Sequence, residues 1–262
     1  MKNFLTHLLQ NLLHWLSQQQ AVRWFSGRFP NLYRFLLQRF DTTSFIGLPL
    51  TLLLLAVGIN AALLSQLAED VIELEGMVMV DKQFTAFLYG IRSYWLSQFF
   101  YAITQLGTRE AVFAMGGLAT IIFLYRRRYT AVLAFWLTMA SIGLSVQYGK
   151  KFISRDRPAK VAFYPEHNSS FPSGHATTAI SLYGMLAFFL YRHLKQKGQR
   201  RAILLLAAVL ITLIGFSRIY LGVHFLSDVV AGFLLGAMWV LVGISVMEVL
   251  TYLRERGKVR QY

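Results

Sequence analysis

Several uninterrupted apolar runs of the chain are near 20 residues long, which is about long enough to cross a lipid bilayer as a helix. Crossing the hydrocarbon takes roughly 20 helical residues, and a helix satisfies its own backbone groups there. Only 15% of the 262 residues are charged, against about 25% in soluble proteins. The pattern predicts an all-α fold, a polytopic bundle with six transmembrane helices, approximately Ser44–Leu67, Glu110–Tyr125, Tyr129–Gly149, Ala176–Tyr191, Ala202–Ile219 and Phe225–Leu250.

Lysine and arginine are distributed unevenly among the connecting segments. If both termini are cytoplasmic, 17 of the 26 Lys and Arg residues face the cytoplasm, in residues 1–43, 126–128, 192–201 and 254–260. Such an excess sets the orientation by the positive-inside rule, so we expect both termini in the cytoplasm. Because these anchors account for the net charge of +14, we expect no nucleic-acid partner.

The parts of the chain outside the six predicted spans also have recognisable sequence patterns. In residues 1–43, apolar residues recur at helical spacing: Leu5, Leu8, Leu9, Leu12 and Leu16. This spacing indicates an amphipathic helix, which lies either in the membrane interface or packed on the cytoplasmic side of the protein. The external region, about 68–108, is rich in aromatic residues typical of the interface and predicts one or two helices before a break at Gly107-Thr108. The predicted organisation is an N-terminal segment 1–43, a six-span domain 44–253 and a basic tail 254–262.

Three short segments place ionisable side chains at the ends of apolar stretches. They are 150–158 (KKFISRDRP), 171–175 (FPSGH) and 217–228 (SRIYLGVHFLSD). Six crossings put the loop 150–175 and the turn 218–228 on the same external face. Phosphoryl transfer spreads negative charge over the phosphate oxygens and depends on positioned cations. The segments therefore predict a phosphate site at the outer membrane surface.

Five residues have the chemistry to bind the phosphate. Arg157 and Arg218 can bind its oxygens bidentately, whereas Lys150 supplies a point charge. Ser173 offers a hydroxyl, and Gly174 opens a helix whose first amides favour an anion. For residues 167–170, in the loop before this helix, the sequence favours a solvated loop over contact with a lipid headgroup.

Two histidines and a carboxylate can perform the reaction. His224 can attack phosphorus and form a phosphohistidine. Asp228 is four residues further on, so on a helix it would share the face of His224 and hold its imidazole. His175 can protonate the leaving oxygen and later deprotonate water. The nearby acids Asp156 and Glu166 are a poor match for a two-metal site, so we expect no metal and no cofactor.

The combined pattern, Lys-x6-Arg-Pro, Pro-Ser-Gly-His and Ser-Arg-x5-His-x3-Asp, resembles the three-part signature of the type 2 phosphatidic acid phosphatase superfamily. The matching residues are Lys150, Arg157, Pro158, Pro172, Ser173, Gly174, His175, Ser217, Arg218, His224 and Asp228. The resemblance implies an all-helical core, a phosphoenzyme on His224 and acid/base work by His175. Bacterial members that resemble this chain are multi-pass inner-membrane enzymes that hydrolyse lipid phosphates such as phosphatidic acid, phosphatidylglycerophosphate and undecaprenyl pyrophosphate. We therefore expect this chain to lie in the inner membrane with its site facing the periplasm. The sequence leaves the lipid and the oligomeric state open.

Other interpretations exist for the same residues. Taken singly, the His224–Asp228 pair is typical of a helix-face contact, Ser173 of a helix cap, and Lys150, Lys151 and Arg155 of interfacial anchors. Two other functions use a comparable anion site: a vanadium-dependent haloperoxidase and a lipid or phosphate transporter. Haloperoxidases of the superfamily are soluble, and transporters often have repeated halves, which this sequence lacks. The prediction is therefore a lipid phosphatase.

Overall fold

A computed structural model describes residues 15, 17–42, 44–74, 76–158 and 160–259, with backbone alone at 255 and 257–259. Within these ranges the regular structure is entirely helical. The helices are α1 Gln20–Arg28, α2 Pro30–Arg39, α3 Leu48–Ile72, α4 Gly76–Gly90, α5 Tyr94–Thr104, a 3-10 turn Gln105–Gly107, α6 Arg109–Tyr125, α7 Tyr129–Ile153, α8 Gly174–His193, α9 Lys197–Tyr220 and α10 Leu226–Val259. The predicted all-α class is confirmed, whereas the amphipathic prediction rests on Leu5, Leu8, Leu9, Leu12 and Leu16, which lie outside the described residues.

Four of the described helices are long and apolar enough to cross a membrane: α3, α7, α9 and residues Leu226–Arg254 of α10. A fifth crossing is available if Tyr94–Gly107 and Arg109–Tyr125, which meet at 49°, form one bent span. The bend lies at Thr108, where the sequence predicts a break. Six crossings, with α8 as the sixth, stay a prediction.

Helix α8 differs from its neighbours because protein surrounds much of its surface. Its buried side chains include Thr177, Ser181, Leu182 and Met185, and it packs mainly against α9 and α7. A helix enclosed by other helices needs no continuous apolar surface toward lipid. The small and polar residues of α8 fit this interior position.

The chain forms two compact units, residues 56–247 and residues 1–55 with 248–262. In the larger unit, side chains of α7, α8 and α9 form the main core, which includes Phe135, Met139, Leu182 and Ile214. A second cluster joins α4 and α5, through Leu88 and Phe100, to the end of α9. In the smaller unit α1 packs on α2, and Arg39 donates a hydrogen bond of 3.1 Å to the carbonyl of Ile46.

Candidate active site

The three charged segments of the sequence converge on one cavity of about 940 Å³. The first begins in the last turn of α7 and continues into the loop 154–173, the second opens α8, and the third spans the turn from α9 to α10. The predicted residues that line the cavity are Lys150, Arg157, Gly174, His175, Arg218 and His224. Ser173 and Asp228 lie behind this wall and are fully buried.

The turn between α9 and α10 fixes the position of His224 relative to Arg218. The backbone N–H groups of Val223 and His224 both donate to the carbonyl of Arg218, at 3.2 Å each. Gly222 has φ +69°, and a Cβ at this position would overlap the carbonyl oxygen of Val161, so the tight turn requires glycine. Since α10 begins at Leu226, His224 belongs to the turn, and the predicted helix-face pairing with Asp228 is wrong in its local geometry.

His224 is nevertheless close to Asp228. Its Nδ1 lies 3.4 Å from Oδ2 of Asp228, without hydrogen-bond geometry. Its Nε2 lies 3.3 Å from Nη1 of Arg157. Burial first, and then the charges of Arg218, Arg157 and Lys150, lower the pKa of His224 well below its ordinary value. The imidazole is therefore neutral at neutral pH and has a lone pair available.

Asp228 connects the second and third segments. Its Oδ2 accepts a hydrogen bond of 2.8 Å from the amide of Phe225, and its backbone carbonyl accepts one of 2.9 Å from the amide of Ser173. The Ser173 hydroxyl accepts from the amide of Ala176 at 3.4 Å, so Ser173 is the N-cap of α8. These contacts hold the first turn of α8, with Gly174 and His175, against the His224 turn.

Two of the predicted phosphate-binding cations are held by backbone carbonyl oxygens of the loop 154–173 and of the turn between α9 and α10. The Nζ of Lys150 donates to the carbonyl of Ser169 at 2.5 Å. Arg157 donates from Nε to Asn168 at 2.7 Å and from Nη1 to Val223 at 2.6 Å. Residues 167–170 are therefore not simply a solvated loop, because their backbone positions two cations.

Glu166, which the sequence analysis considered only as a weak metal ligand, lies between the two arginines. Its Oε1 is 2.5 Å from Nη2 of Arg218, and its Oε2 is 3.0 Å from Nη2 of Arg157. Burial raises the pKa of the Glu166 carboxyl, but Arg218 and Arg157 together lower it more, so the pKa lies below its ordinary value. A phosphate bound at Arg157 and Arg218 would therefore share their N–H donors with the Glu166 carboxylate.

Arg155 was also missed, since its place in the sequence suggests an interfacial anchor. In the structure its side chain is only 10% exposed and forms ion pairs of 2.7 Å with both Asp81 and Asp228. No periodicity or spacing in the sequence connects Asp81 with the third segment, 146 residues away at Ser227. Only the tertiary fold brings these groups together.

The cavity combines this charged wall with an apolar one. Side chains of α6 and α7, among them Phe113, Trp136, Met139 and Ile142, also line it. The arrangement can hold an anionic group at the cations while an apolar chain lies along the helices. Within the described part of the chain, His, Asp and Glu do not form a group of three able to hold a metal ion.

Comparisons with known proteins find a matching family model and similar sequences. Residues 131–252, which contain all eight predicted site residues, match the PAP2 superfamily model. The chain is 35% identical over 153 residues to phosphatidylglycerophosphatase B of Bacillus subtilis (strain 168), covering 56% of this chain and 73% of that protein. It is 29% identical over 199 residues to lipid A 4'-phosphatase of Porphyromonas gingivalis, covering 70% and 78%.

Two solved structures are similar to the fold. A crystal structure of a transmembrane PAP2-type phosphatidylglycerolphosphate phosphatase from Bacillus subtilis aligns with a TM-score of 0.67 and 29% identity, covering 72% of this chain and 94% of that one. The crystal structure of Aquifex aeolicus LpxE aligns with a TM-score of 0.52 and 26% identity, covering 63% and 94%.

Proposed function

This chain belongs to the PAP2 superfamily and is a phosphatase that hydrolyses phosphoester bonds, and from that premise we propose that its substrate is a membrane lipid carrying a terminal phosphomonoester or pyrophosphate. The observation that carries the proposal is the cavity in which Lys150, Arg157 and Arg218 face apolar side chains of α6 and α7. A lipid phosphate has the same division between a charged head and an apolar chain. Phosphatidic acid, phosphatidylglycerophosphate and undecaprenyl pyrophosphate all fit this description.

In the proposed reaction His224 is the nucleophile. Its Nδ1 lies 3.4 Å from Oδ2 of Asp228, and a proton on Nδ1 leaves the lone pair on Nε2, which faces Nη1 of Arg157 at 3.3 Å. When Arg157 turns this N–H group to a phosphate oxygen, the Nε2 lone pair can attack phosphorus. An N–P bond forms and the P–O bond to the lipid breaks. Asp228 then stabilises the imidazolium, while Arg157 and Arg218 stabilise the negative charge on the phosphate oxygens.

His175 is proposed to move the protons. It lines the same cavity as His224 and protonates the lipid oxygen as it leaves. In the second step it accepts a proton from water, which attacks phosphorus, breaks the N–P bond and releases inorganic phosphate. Lys150 adds charge at the phosphate, Gly174 presents the amide end of α8, and Ser173 holds that helix end in place.

We place the reaction at the outer face of the bacterial inner membrane. The excess of Lys and Arg in the segments 1–43, 126–128, 192–201 and 254–260 supports six crossings with both termini in the cytoplasm. On this topology the domain 44–253 carries the site, and the segments 1–43 and 254–262 lie on the cytoplasmic side. The lipid headgroup then already lies at the depth of the site.

Phosphate release by the detergent-solubilised full-length protein tests the proposal. Phosphatidic acid, phosphatidylglycerophosphate and undecaprenyl pyrophosphate are compared as substrates, each with and without EDTA. We expect release from at least one lipid, loss of release in His224→Ala, and no effect of EDTA. Full activity in His224→Ala, or release from none of the three lipids, contradicts the proposed function.

A further inference from the structure

Asp81 is a fully buried acid of α4 and lies outside the range 131–252 matched by the family model. Its Oδ1 accepts a hydrogen bond of 2.9 Å from the amide of Ser227, and its Oδ2 accepts one from the Ser227 hydroxyl. The same Oδ2 lies 2.7 Å from Nη2 of Arg155. Asp81 therefore contacts the residue directly before Asp228.

Arg155 connects the two buried carboxylates. Its Nη1 lies 2.7 Å from Oδ1 of Asp228 and donates to the Ser227 hydroxyl at 2.7 Å. The guanidinium also lies over the ring of Phe225, 4.3 Å from its centroid. Asp228 thus has one oxygen on Arg155 and the other toward His224.

The net charge of Asp81, Arg155 and Asp228 affects how well Asp228 can stabilise a positive charge on His224. The imidazolium formed when His224 attacks needs a net negative neighbour, and electrostatic interactions are strong in a buried site. Arg155 alone would neutralise Asp228, because the two groups form a close, buried ion pair. Asp81 supplies a second negative charge on the far side of Arg155, so the triad Asp81–Arg155–Asp228 has a net charge of −1.

We propose that Asp81 and Arg155 are positioning residues of the phosphatase reaction: Arg155 orients the Asp228 carboxylate toward His224, and Asp81 offsets the charge of Arg155 so that Asp228 stabilises the His224 imidazolium. The proposal rests on the proposed function, in which His224 attacks phosphorus. It gives α4, which lies outside the three signature segments, an influence on the rate of the chemical step that acts through Arg155 and Asp228.

Variants that remove and then restore the net negative charge of the triad separate this role from a purely structural one. In Asp81→Asn the charge of Arg155 is no longer offset, whereas the double variant Asp81→Asn/Arg155→Gln restores a net charge of −1 through Asp228 alone. Initial rates of phosphate release from phosphatidic acid in detergent micelles give kcat and KM for the wild type and each variant. Asp156→Asn is the control, because it neutralises an exposed acid next to Arg155.

We expect Asp81→Asn to lower kcat by about tenfold or more, by analogy with the carboxylates that orient metal-bound histidines, whose loss costs about 10-fold to 100-fold. KM should change by less than about threefold, since the phosphate contacts are intact, and the double variant should be faster than Asp81→Asn. Asp156→Asn should match the wild type. A wild-type kcat in Asp81→Asn, or a double variant no faster than the single one, overturns the proposal.

A second comparison applies if Asp81→Asn does not fold. In Arg155→Gln the charge beside His224 stays negative, but Asp228 loses the guanidinium that orients its carboxylate. We expect kcat to fall by about tenfold or more while KM changes by less than about threefold, and a wild-type kcat in Arg155→Gln overturns the proposal. His224→Ala is measured in parallel: if it is inactive while Asp81→Asn has the wild-type kcat, the positioning role fails and the proposed function stands.

Discussion

Glu166 binds Arg218 through an Oε1–Nη2 contact of 2.5 Å, which places a carboxylate on a guanidinium that we propose binds the substrate phosphate. The second carboxylate oxygen lies 3.0 Å from Arg157. A phosphate that uses these donors therefore has to displace Glu166. Glu166 holds the two arginines together and at the same time competes with the substrate.

The first prediction concerns this competition. In Glu166→Gln the side chain loses its charge, so the arginines release it more readily and the fraction of binding-competent protein rises. We expect the inhibition constant of inorganic phosphate, and the KM of the lipid, to fall by about threefold to tenfold. The inhibition constant is obtained from the competitive inhibition of lipid hydrolysis by added inorganic phosphate.

Glu110→Gln is the matched control for Glu166→Gln. Glu110 lines the same cavity, but its carboxylate bonds to Thr108, so its neutralisation should leave phosphate inhibition close to that of the wild type. Weaker inhibition in Glu166→Gln would mean that the carboxylate aligns the arginines for phosphate and does not compete with it.

The second prediction separates two adjacent lysines. Both lysines line the cavity, but Lys150 is half-buried and donates to the carbonyl of Ser169, whereas the side chain of Lys151 is exposed. Lys150→Met should lower kcat/KM by roughly 100-fold, because it removes a cation from the developing phosphate charge. Lys151→Met, tested in the same assay, should stay within about threefold of the wild type. Equal losses in the two variants would contradict the assignment of Lys150.

The third prediction concerns pH. His224 must be neutral to attack, and its pKa lies well below the ordinary value of 6.5 through burial and nearby cations. Because the neutral form persists below pH 6.5, the acid limb of kcat/KM should lie below that pH. The pH profile of kcat/KM is measured for two lipids whose phosphate groups differ in pKa. A limb that lies at the same pH in both profiles belongs to the enzyme. A shared limb at pH 6.5 or above would contradict the environment described for His224.

The sequence predicts the site because the phosphate chemistry depends on residue types at fixed short spacings. The six-residue interval between Lys150 and Arg157 favours Lys150 over Lys151. Both lysines line the cavity with Arg157, so this choice stays a prediction. The predicted topology puts the three segments on one membrane face, and in the structure they meet at one cavity. The helix-face argument for His224 and Asp228 assumes the wrong local structure, although the two side chains are close in the turn.

Glu166, Arg155 and Asp81 could not be predicted in the same way. Each acts through a contact between distant parts of the chain, such as Arg155 with Asp81 across 74 residues. Buried ion pairs of this kind depend on the tertiary packing of α4 against the turn, and a single sequence has no periodic signal for that packing. For the same reason α8, which is enclosed by protein, differs in composition from a lipid-facing span.

The central claim, covalent catalysis by His224, is tested most directly by trapping the phosphoenzyme. The solubilised protein is mixed with a lipid labelled with ³²P at its terminal phosphate, quenched within the first turnover, and examined for bound label. We predict label on the wild type that is stable in alkali and lost in acid, as a phosphohistidine is, and no label on His224→Ala. Label on His224→Ala, or active wild-type enzyme that never carries label, would contradict the mechanism.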